Sequence, residues 1–396
     1  MTRPLTRRDL LERAAQVTAL GGAALTVPGF LAACGGSDGI EGAGTTAATT
    51  EAAGSKQLAD KLTISNWTLY IDIDEETKKR PTLEQFTQET GVAVDYIEDV
   101  NDNDEWFGKN QAALKAGNSI GRDLIVLTDW MAARMVRLGY VERVDKEAIP
   151  NAANLVSALQ SPGWDPNRDY SMPWQSGLTG IGYDPDRFGG EITSVQQLLE
   201  DPKLKGKVSF LTEMPDTMGL MLQLDGADPS KVDKAAFDRS IGRLQAAVDN
   251  GQIRQFTGND YAPLLAKGDI WAAVAWSGDM VQLQLENPKL RFVIPDEGGM
   301  IWTDNMLIPT GGDIFTASTF MNFVYDPKIA AQIEAYVNYI CPVEGAKEEI
   351  RAIDASLADN PLIFPDEATL AKVKIFDAEA ADDQDYKAAF QEVIGA

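Results

Sequence analysis

The stretch Leu124-Ile125-Val126-Leu127 decides the fold class of this chain. All four side chains are apolar, so a strand formed here needs cover on both of its faces. Upstream, apolar runs at 62–67 and 92–97 alternate with helical patterns at 82–89 and 106–116. This β-α-β-α-β order is typical of an open, mostly parallel sheet with helices on both sides. The sequence therefore predicts an α/β fold.

A second alternating region lies farther along the chain, and it predicts a second sheet with helices around it. Its elements are strands at 208–211, 253–256, 270–275 and 291–294, and helices at 234–250, 261–267, 314–325 and 327–340. Gly-Gly pairs at 298–299 and 311–312 lack the glycine spacing and the lysine of a phosphate-binding loop, so we interpret them as turns.

The composition excludes several classes of function. The chain has 396 residues, enough for about two or three domains, and it contains no histidine. Without imidazole, no Ser-His-Asp or Cys-His nucleophile and no histidine-bound metal can form. The formal net charge of -25 opposes binding to nucleic acid, because the phosphates carry the same sign. The same charge favours small cationic ligands.

The amino terminus has the pattern of an export signal. Arg7-Arg8 precedes a mostly apolar run at 14–33, which ends in Leu31-Ala32-Ala33-Cys34. A twin arginine before an apolar core is typical of an exported protein, and small residues before a cysteine resemble a bacterial lipobox. We predict a twin-arginine lipoprotein signal peptide at 1–33.

The same pattern predicts how the mature chain begins. Cys34 would carry the lipid that attaches the protein to the outer face of the membrane, and 34–60 would be a flexible linker, since Gly, Ala, Ser and Thr dominate it. The alternative is a single transmembrane helix at the amino terminus. Gly21, Gly22 and Pro28 interrupt the apolar run, which disfavours a span of about 20 residues.

Aromatic and acidic residues follow the predicted strands. The strand ends include Asn66-Trp67-Thr68-Leu69-Tyr70, Thr128-Asp129-Trp130, Thr212-Glu213, Trp276-Ser277-Gly278-Asp279 and Trp302-Thr303-Asp304. Ligands of open α/β sheets bind beyond the carboxyl ends of strands, so we expect these side chains to share a site. An aromatic ring attracts a cation by about 0.5–2 kcal/mol, and a flexible diamine or triamine would match this pattern. Any single tryptophan is equally well explained as a core residue.

Several segments carry a resemblance to a known family. The most specific are Ala275-Trp276-Ser277-Gly278 and Pro295-Asp296-Glu297-Gly298-Gly299, the latter continuing through Trp302-Thr303-Asp304-Asn305; others are Asn66-Trp67-Thr68 with Tyr70, 83–91 with Val94, Asp169-Tyr170-Ser171-Met172-Pro173 and Gly180-Ile181-Gly182. Through these segments, residues 61–378 resemble the spermidine/putrescine-binding proteins of bacterial ABC transporters, which are two-lobed periplasmic binding proteins.

The resemblance implies a fold and a domain division. We expect two lobes, each with an open mixed sheet flanked by helices, with a ligand cleft and a hinge between them. Lobe 1 would comprise 61–179 plus 303–345, and lobe 2 would comprise 180–302 plus 346–396.

The resemblance also implies a site. Its members would be the aromatic box of Trp67, Tyr70, Trp130, Trp276 and Trp302, the amine-binding carboxylate of Asp304, and the hydroxyl of Thr128. Two acidic positions of the family fall on Met214 and Thr217, whereas Glu213 and Asp216 lie one residue earlier and are our candidates. A further polar contact of the family falls near Phe376.

The hypothesis that follows is a lipid-anchored, monomeric binding protein, not an enzyme, that captures a polyamine or similar small cation and delivers it to the permease of an ABC transporter. It needs no cofactor, metal ion or nucleic acid. The alternatives are the same fold binding another organic cation or a sugar, and an extracytoplasmic glycosidase that uses a carboxylate pair. The acidic clusters at 99–105 and 382–385 lack the spacing of a calcium loop, so we interpret them as solvated surface.

Overall fold

The structure is a computed structural model, and it describes residues 56–74 and 76–395. The predicted signal peptide, Cys34 and most of the predicted linker lie outside the described residues. Within the described ranges, no helix has both the length and the apolar character needed to cross a membrane. The same residues include no group of three acidic or cysteine side chains placed to hold a metal ion.

Strands and helices alternate along the described chain. The strands are β1 (Lys61–Trp67), β2 (Ala93–Val100), β3 (Leu124–Thr128), β4 (Ser171–Tyr183), β5 (Val208–Leu211), β6 (Ile253–Thr257), β7 (Ala272–Trp276), β8 (Arg291–Val293), β9 (Gly299–Leu307) and β10 (Val373–Lys374). The helices are α1 (Pro81–Thr90), α2 (Asn103–Lys115), α3 (Asp129–Arg137), α4 (Pro185–Phe188), α5 (Val195–Glu200), α6 (Met214–Leu224), α7 (Lys234–Asp249), α8 (Tyr261–Lys267), α9 (Ser277–Glu286), α10 (Ile314–Val324), α11 (Pro327–Val337), α12 (Ala346–Ile353), α13 (Ala355–Ala358), α14 (Glu367–Leu370), α15 (Ala378–Asp382) and α16 (Gln384–Ile394).

The strands form one mixed sheet in the order β2-β1-β3-β9-β4-β7-β5-β6, with β10 paired to β9 and β8 paired to β4. Strand β1 pairs in parallel with β2 and β3, and β5 pairs in parallel with β6 and β7. Between these groups, β4 and β9 form an antiparallel pair, which we call the central ribbon. The first half of the molecule is β1–β3 with the helices packed on them, and the second half is β5–β7 with theirs.

The register of the central ribbon brings the ends of the two parallel groups towards each other. Thr128, the last residue of β3, lies opposite Asp304 on β9. Trp276, the last residue of β7, lies opposite Thr179, which is paired in turn with Met300. The two groups therefore approach from opposite directions and stop about 13 Å apart along β9, at the usual rise of a strand. Their carboxyl ends frame a common space.

The predicted α/β fold is confirmed, but the two expected sheets are hydrogen-bonded into one. The difference arises because β4 and β9 extend through both halves, and the sequence pattern did not indicate either strand. Proline and three glycines lower the strand propensity of β4, and β9 begins at Gly299, in a pair that we interpreted as a turn. These glycines serve close packing: a Cβ at Gly180 would lie 2.4 Å from the carbonyl oxygen of Val293.

Local capping explains where two helix bounds differ from the prediction. The Asp102 carboxylate accepts a hydrogen bond from the Glu105 amide, so α2 begins at Asn103, ahead of the predicted start at 106. Helix α11 ends at Val337 because Asn338 adopts a left-handed conformation with φ 60°, which is not compatible with the predicted end at 340. The early end of α11 releases the next residue, Tyr339, towards the space between the halves.

Candidate functional site

A cavity of about 420 Å³ lies between the facing strand ends. All nine ligand-binding residues that we predicted line it, namely Trp67, Tyr70, Thr128, Trp130, Glu213, Asp216, Trp276, Trp302 and Asp304. Residues that are up to 237 positions apart in the chain thus share one space, because the central ribbon joins the two groups of strands. Their role as ligand contacts stays a prediction.

Asp304 lies at the end of the cavity formed by the first half. It is 3% exposed, and its two carboxylate oxygens accept hydrogen bonds of 2.8 Å each, from the hydroxyls of Tyr70 and Thr128. Burial raises the pKa of Asp304 to about 7, although both hydrogen bonds lower it. The carboxylate is therefore held in place by neutral donors, and its charge is not balanced by them.

Asp216 occupies the end formed by the second half. One of its oxygens accepts a hydrogen bond from the Thr179 hydroxyl, and the other accepts one of 3.2 Å from the Trp276 indole. Trp302 donates to the same Thr179 hydroxyl at 3.0 Å, so this threonine of β4 links the carboxylate to the Trp302 indole, whereas the Trp276 indole contacts it directly. Burial raises the pKa of Asp216 to about 6, against the lowering effect of its two hydrogen bonds.

Four aromatic rings form a continuous wall between these two carboxylates. The ring centroids of Trp276 and Trp302 are 6.3 Å apart at an interplanar angle of 77°, and Tyr339 lies 5.7 Å from Trp302 and 5.2 Å from Tyr70. A Cβ at Gly177 would lie 2.3 Å from the Trp302 ring, so only glycine lets this indole lie against β4. Edge-to-face contacts of this kind hold each ring at a defined angle.

Two acids near the start of α6, Glu213 and Asp216, lie on the cavity side. Glu213, immediately before the helix, is 6% exposed and accepts hydrogen bonds of 3.1 Å from the backbone and side-chain amides of Asn103. Both Glu213 and Asp216 line the cavity, whereas Met214 and Thr217 do not. The Thr217 hydroxyl donates instead to the Leu211 carbonyl, within the second half.

Trp67 and Trp130 differ from the other indoles. Trp67 is buried, and its indole N–H has no hydrogen-bond partner among the described residues. Trp130 lines the cavity, yet the ammonium group of Lys387 lies 4.6 Å from its ring centroid. One cation of the protein therefore already contacts this indole.

Several residues of the cavity were not among our predicted contacts, and three of them, Asp129, Asp279 and Tyr339, contribute to its acids and its aromatic wall. Asp129 accepts hydrogen bonds from the Thr303 amide, and burial, assisted by the charge of Asp304, raises its pKa to about 7. Asp279 accepts from the hydroxyls of Tyr261 and Tyr339 at 2.7 and 2.8 Å. Position gave a signal for both acids, since each follows a strand, whereas nothing in the sequence pattern indicated Tyr339.

The charged side chains that line the cavity are mostly acidic. Its lining within the described residues contains six carboxylates, of Asp129, Glu213, Asp216, Asp279, Glu286 and Asp304, and a single basic side chain, that of Arg168. The Arg168 guanidinium donates to the Leu159 carbonyl and to the Ser171 and Asn305 side chains, so four hydrogen bonds within the protein already use most of its five N–H groups. Buried carboxylates beside aromatic faces can hold a positively charged ligand.

Comparisons with known proteins agree with this geometry. The model of the family "Bacterial extracellular solute-binding protein" matches residues 82–365. The Salmonella typhimurium spermidine/putrescine-binding periplasmic protein is 25% identical over 314 residues, which cover 79% of this chain and 85% of that protein. The putrescine-binding periplasmic protein PotF of Escherichia coli is 30% identical over 331 residues, with the same coverage of 79% and 85%.

A solved structure shows the same fold. The Tp0655 (TpPotD) lipoprotein of Treponema pallidum superposes with a TM-score of 0.71 at 21% identity, covering 85% of this chain and 100% of that one. The expected two-lobed α/β architecture and the family resemblance are thereby confirmed. The matched family consists of extracellular proteins that bind solutes rather than of enzymes. The chain thus belongs to the bacterial extracellular solute-binding protein family.

Proposed function

We propose that this protein binds a polyamine of the putrescine or spermidine type in the cavity between its halves and delivers it to the permease of an ABC transporter. The observation that carries the proposal is the set of cavity carboxylates without a cationic partner, of which Glu213, Asp216 and Asp304 are buried. Within the described chain, none of the six cavity carboxylates forms a salt bridge, although ion pairs are frequent on the surface. Unpaired buried carboxylates are costly, and a cationic ligand would offset that cost.

The shape of the site favours an alkyl amine with separated charges. Asp304 and Asp216 are anchored at opposite ends of an aromatic wall, with Trp276 and Trp302 beside the second of them. Methylene groups pack against aromatic rings, while terminal ammonium groups pair with the acids. An acidic ligand is disfavoured, because six carboxylates line the cavity and most donors of Arg168, the basic residue of the lining, are used within the protein.

The names of the relatives support the same class of ligand. Both curated relatives described above are named for binding putrescine or spermidine and putrescine. They match this chain over more than three quarters of its length.

Calorimetric titration of the purified full chain tests the proposal. We expect saturable binding of putrescine or spermidine, and none of 1,4-butanediol, a neutral analogue of putrescine that has hydroxyls in place of the amines. Absence of heat with putrescine, spermidine and spermine would exclude the polyamine. Equal binding of the diol would show that the carboxylates do not select the ligand by charge.

The lobe division and the hinge are part of the proposal. Lobe 1 at 61–179 plus 303–345 and lobe 2 at 180–302 plus 346–396 would move about the central ribbon, and ligand contacts with both would favour the closed form. Small-angle X-ray scattering should show a smaller radius of gyration with the ligand. An unchanged radius would contradict closure.

Attachment to the membrane through Cys34 and a monomeric state complete the proposal. The lipobox pattern at the amino terminus supports lipidation. Mass spectrometry of protein from membranes should find an acylated peptide that begins at Cys34, and Cys34→Ala should release the protein from the membrane fraction. Light scattering would measure the mass in detergent.

A further inference from the structure

We propose that Lys387 is a positioning residue of the binding site, which holds Trp130 against the cavity and ties the carboxyl-terminal helix to the first half of the molecule. The inference rests on the function proposed above, since it concerns the same cavity. It assigns a role to a residue that does not line the cavity and that the sequence pattern did not single out.

Lys387 is carried by a helix that is fixed to the second half. The Tyr386 ring stacks on Phe237 of α7 with centroids 4.1 Å apart, and Phe390 lies 6.3 Å from Phe256 of β6. These contacts secure α16 on both sides of Lys387. The position of its side chain is therefore set by the second half.

The ammonium group of Lys387 nevertheless contacts the first half. It lies 4.6 Å from the ring centroid of Trp130 on α3 and 2.8 Å from a carboxylate oxygen of Asp104 on α2. Lys387 is only 8% exposed. A cation–π contact and an ion pair gain strength when water is excluded, so this contact is stronger than an exposed one.

A second basic residue extends the contact between the halves. Arg134 on α3 pairs with Asp382 on α15 at 3.1 Å and with Asp104 at 3.3 Å, and Asp382 also lies 3.9 Å from the Lys387 ammonium. We call these four residues, Asp104, Arg134, Asp382 and Lys387, the ionic bridge. Acidic and basic groups alternate in it, and each half supplies both kinds.

The ionic bridge answers a problem that an acidic cleft creates. Asp102 of the first half and Glu213 of the second half face each other, and their charges repel as the halves approach. Asp104 adds to this repulsion, and the bridge pairs its carboxylate with the cations of Arg134 and Lys387, which offsets part of the repulsion between the halves. It also explains why one face of Trp130 is occupied by the protein itself and is closed to an amine of the ligand.

Three variants of the full chain test the role of Lys387. Lys387→Met keeps the alkyl stem and removes the charge, Lys387→Arg keeps the charge, and Lys207→Met is the matched control. Lys207 lies 5.5 Å over the Trp271 ring, and neither residue lines the cavity. Putrescine affinity is measured by calorimetry, and amide hydrogen exchange of α3 and α16 is measured without ligand.

We expect Lys387→Met to weaken putrescine binding by about five- to tenfold and to speed exchange in α3 and α16, since a buried cation–π contact is lost. Lys387→Arg should stay within about twofold of the wild type, because a guanidinium keeps the positive charge and can also lie over the face of an aromatic ring. In the Trp130→Leu background, Lys387→Met should cost little further affinity, because the lysine acts through this ring.

Unchanged affinity and exchange in Lys387→Met would overturn the proposal, as would equal effects of Lys207→Met. Losses that add fully in the Trp130→Leu background would show a merely structural role. If the wild type binds no polyamine, the proposed function fails. The exchange comparison of the ligand-free variants then still decides whether Lys387 ties the halves together.

Discussion

Tyr70 donates a hydrogen bond of 2.8 Å to Asp304, although the two residues are separated by 234 positions in the chain. Thr128 donates a second bond to the same carboxylate. Both donors are neutral, and Asp304 has no cationic partner within the described residues. The carboxylate is thus oriented before a ligand arrives, which reduces the cost of ordering it on binding. The predictions below follow from this arrangement.

Replacing Asp304 by asparagine should weaken putrescine binding by more than about tenfold, because a charged hydrogen bond to the ligand amine is lost. Calorimetry measures the change. Asp269→Asn, at an exposed carboxylate between α8 and β7, is the control and should bind like the wild type. An unchanged affinity of Asp304→Asn would discredit the assigned amine contact.

Binding should strengthen as the pH rises from about 5 to about 8. The pKa values of Asp304 and Asp129 are raised to about 7, and that of Asp216 to about 6, so these acids lose protons over this interval. A cation favours the ionised form, and each linked proton changes affinity by at most about tenfold per pH unit. Titrations in buffers with different ionisation heats count the protons released.

The same raised pKa values have the opposite effect on the folding stability of the protein without ligand, which should fall as the pH rises. An acid whose pKa is raised in the folded state stabilises it at low pH, and this contribution is lost as the pH rises towards about 7. Thermal unfolding should therefore show that putrescine stabilises the protein more at pH 8 than at pH 5.5. A ligand effect independent of pH would contradict the linkage.

Trp276→Leu should weaken binding by about three- to thirtyfold, which corresponds to the loss of one good cation–π contact. The variant also removes the indole donor to Asp216, so Trp276→Phe tests the ring alone. Trp271→Leu, at an indole outside the cavity, provides the control for fluorescence and for stability. Equal effects at positions 276 and 271 would argue against a special role of the cavity ring.

Glu213→Gln and Asp216→Asn should each weaken binding by several-fold or more, whereas Met214→Leu should leave it unchanged. The acids line the cavity, and the methionine does not. Removing one of several like charges also relieves repulsion, so we expect smaller losses than at Asp304. A loss at Met214 in place of the acids would reverse the assignment.

Gly177→Ala should reduce affinity by about tenfold or more, because the new Cβ would displace the Trp302 ring from the wall. Gly182→Ala on the same strand is the control, since its Cβ would meet the flexible end of Met280, away from the cavity. The clash of the new Cβ with the Trp302 ring should also lower the folding stability of Gly177→Ala. Adding Trp302→Phe should restore that stability, since the smaller ring leaves room for the Cβ. Equal affinity losses for the two alanine variants would refute the positioning role.

The sequence predicted those parts of the fold whose residues match their local structure. Strand β3 is apolar and buried from Leu124 to Leu127, and α1 and α7 lie close to their predicted bounds. The central ribbon was missed, because Pro173, Gly177 and Gly180 are poor strand formers taken alone. The two glycines are required by tertiary packing, because an aromatic ring at Gly177 and a neighbouring backbone at Gly180 occupy the space that a side chain would need.

The site was predictable to the extent that its residues follow strands. Thr128 and Trp276 could be grouped in this way because each ends a strand of a parallel group. Asp304 lies within β9 and reaches the same site because it is paired with Thr128. Tyr339 could not be predicted, since it reaches the cavity only because Asn338 ends α11 in a left-handed turn. The contact of Lys387 with Trp130 could not be predicted either, because the sequence around a lysine on a carboxyl-terminal helix does not indicate a buried aromatic partner.

The central ribbon fixes the distance between the two carboxylates at the ends of the cavity. Asp304 belongs to β9, and Asp216 is attached to it through Thr179, which faces Met300. Hydrogen-bonded strands cannot stretch, and a single inserted residue would turn the inward side chains outward. The distance between the Asp304 and Asp216 carboxylates is therefore set by the rise of the strand backbone. A binding protein of this design would adapt to a longer or shorter ligand by replacing the side chains at the two ends of the cavity.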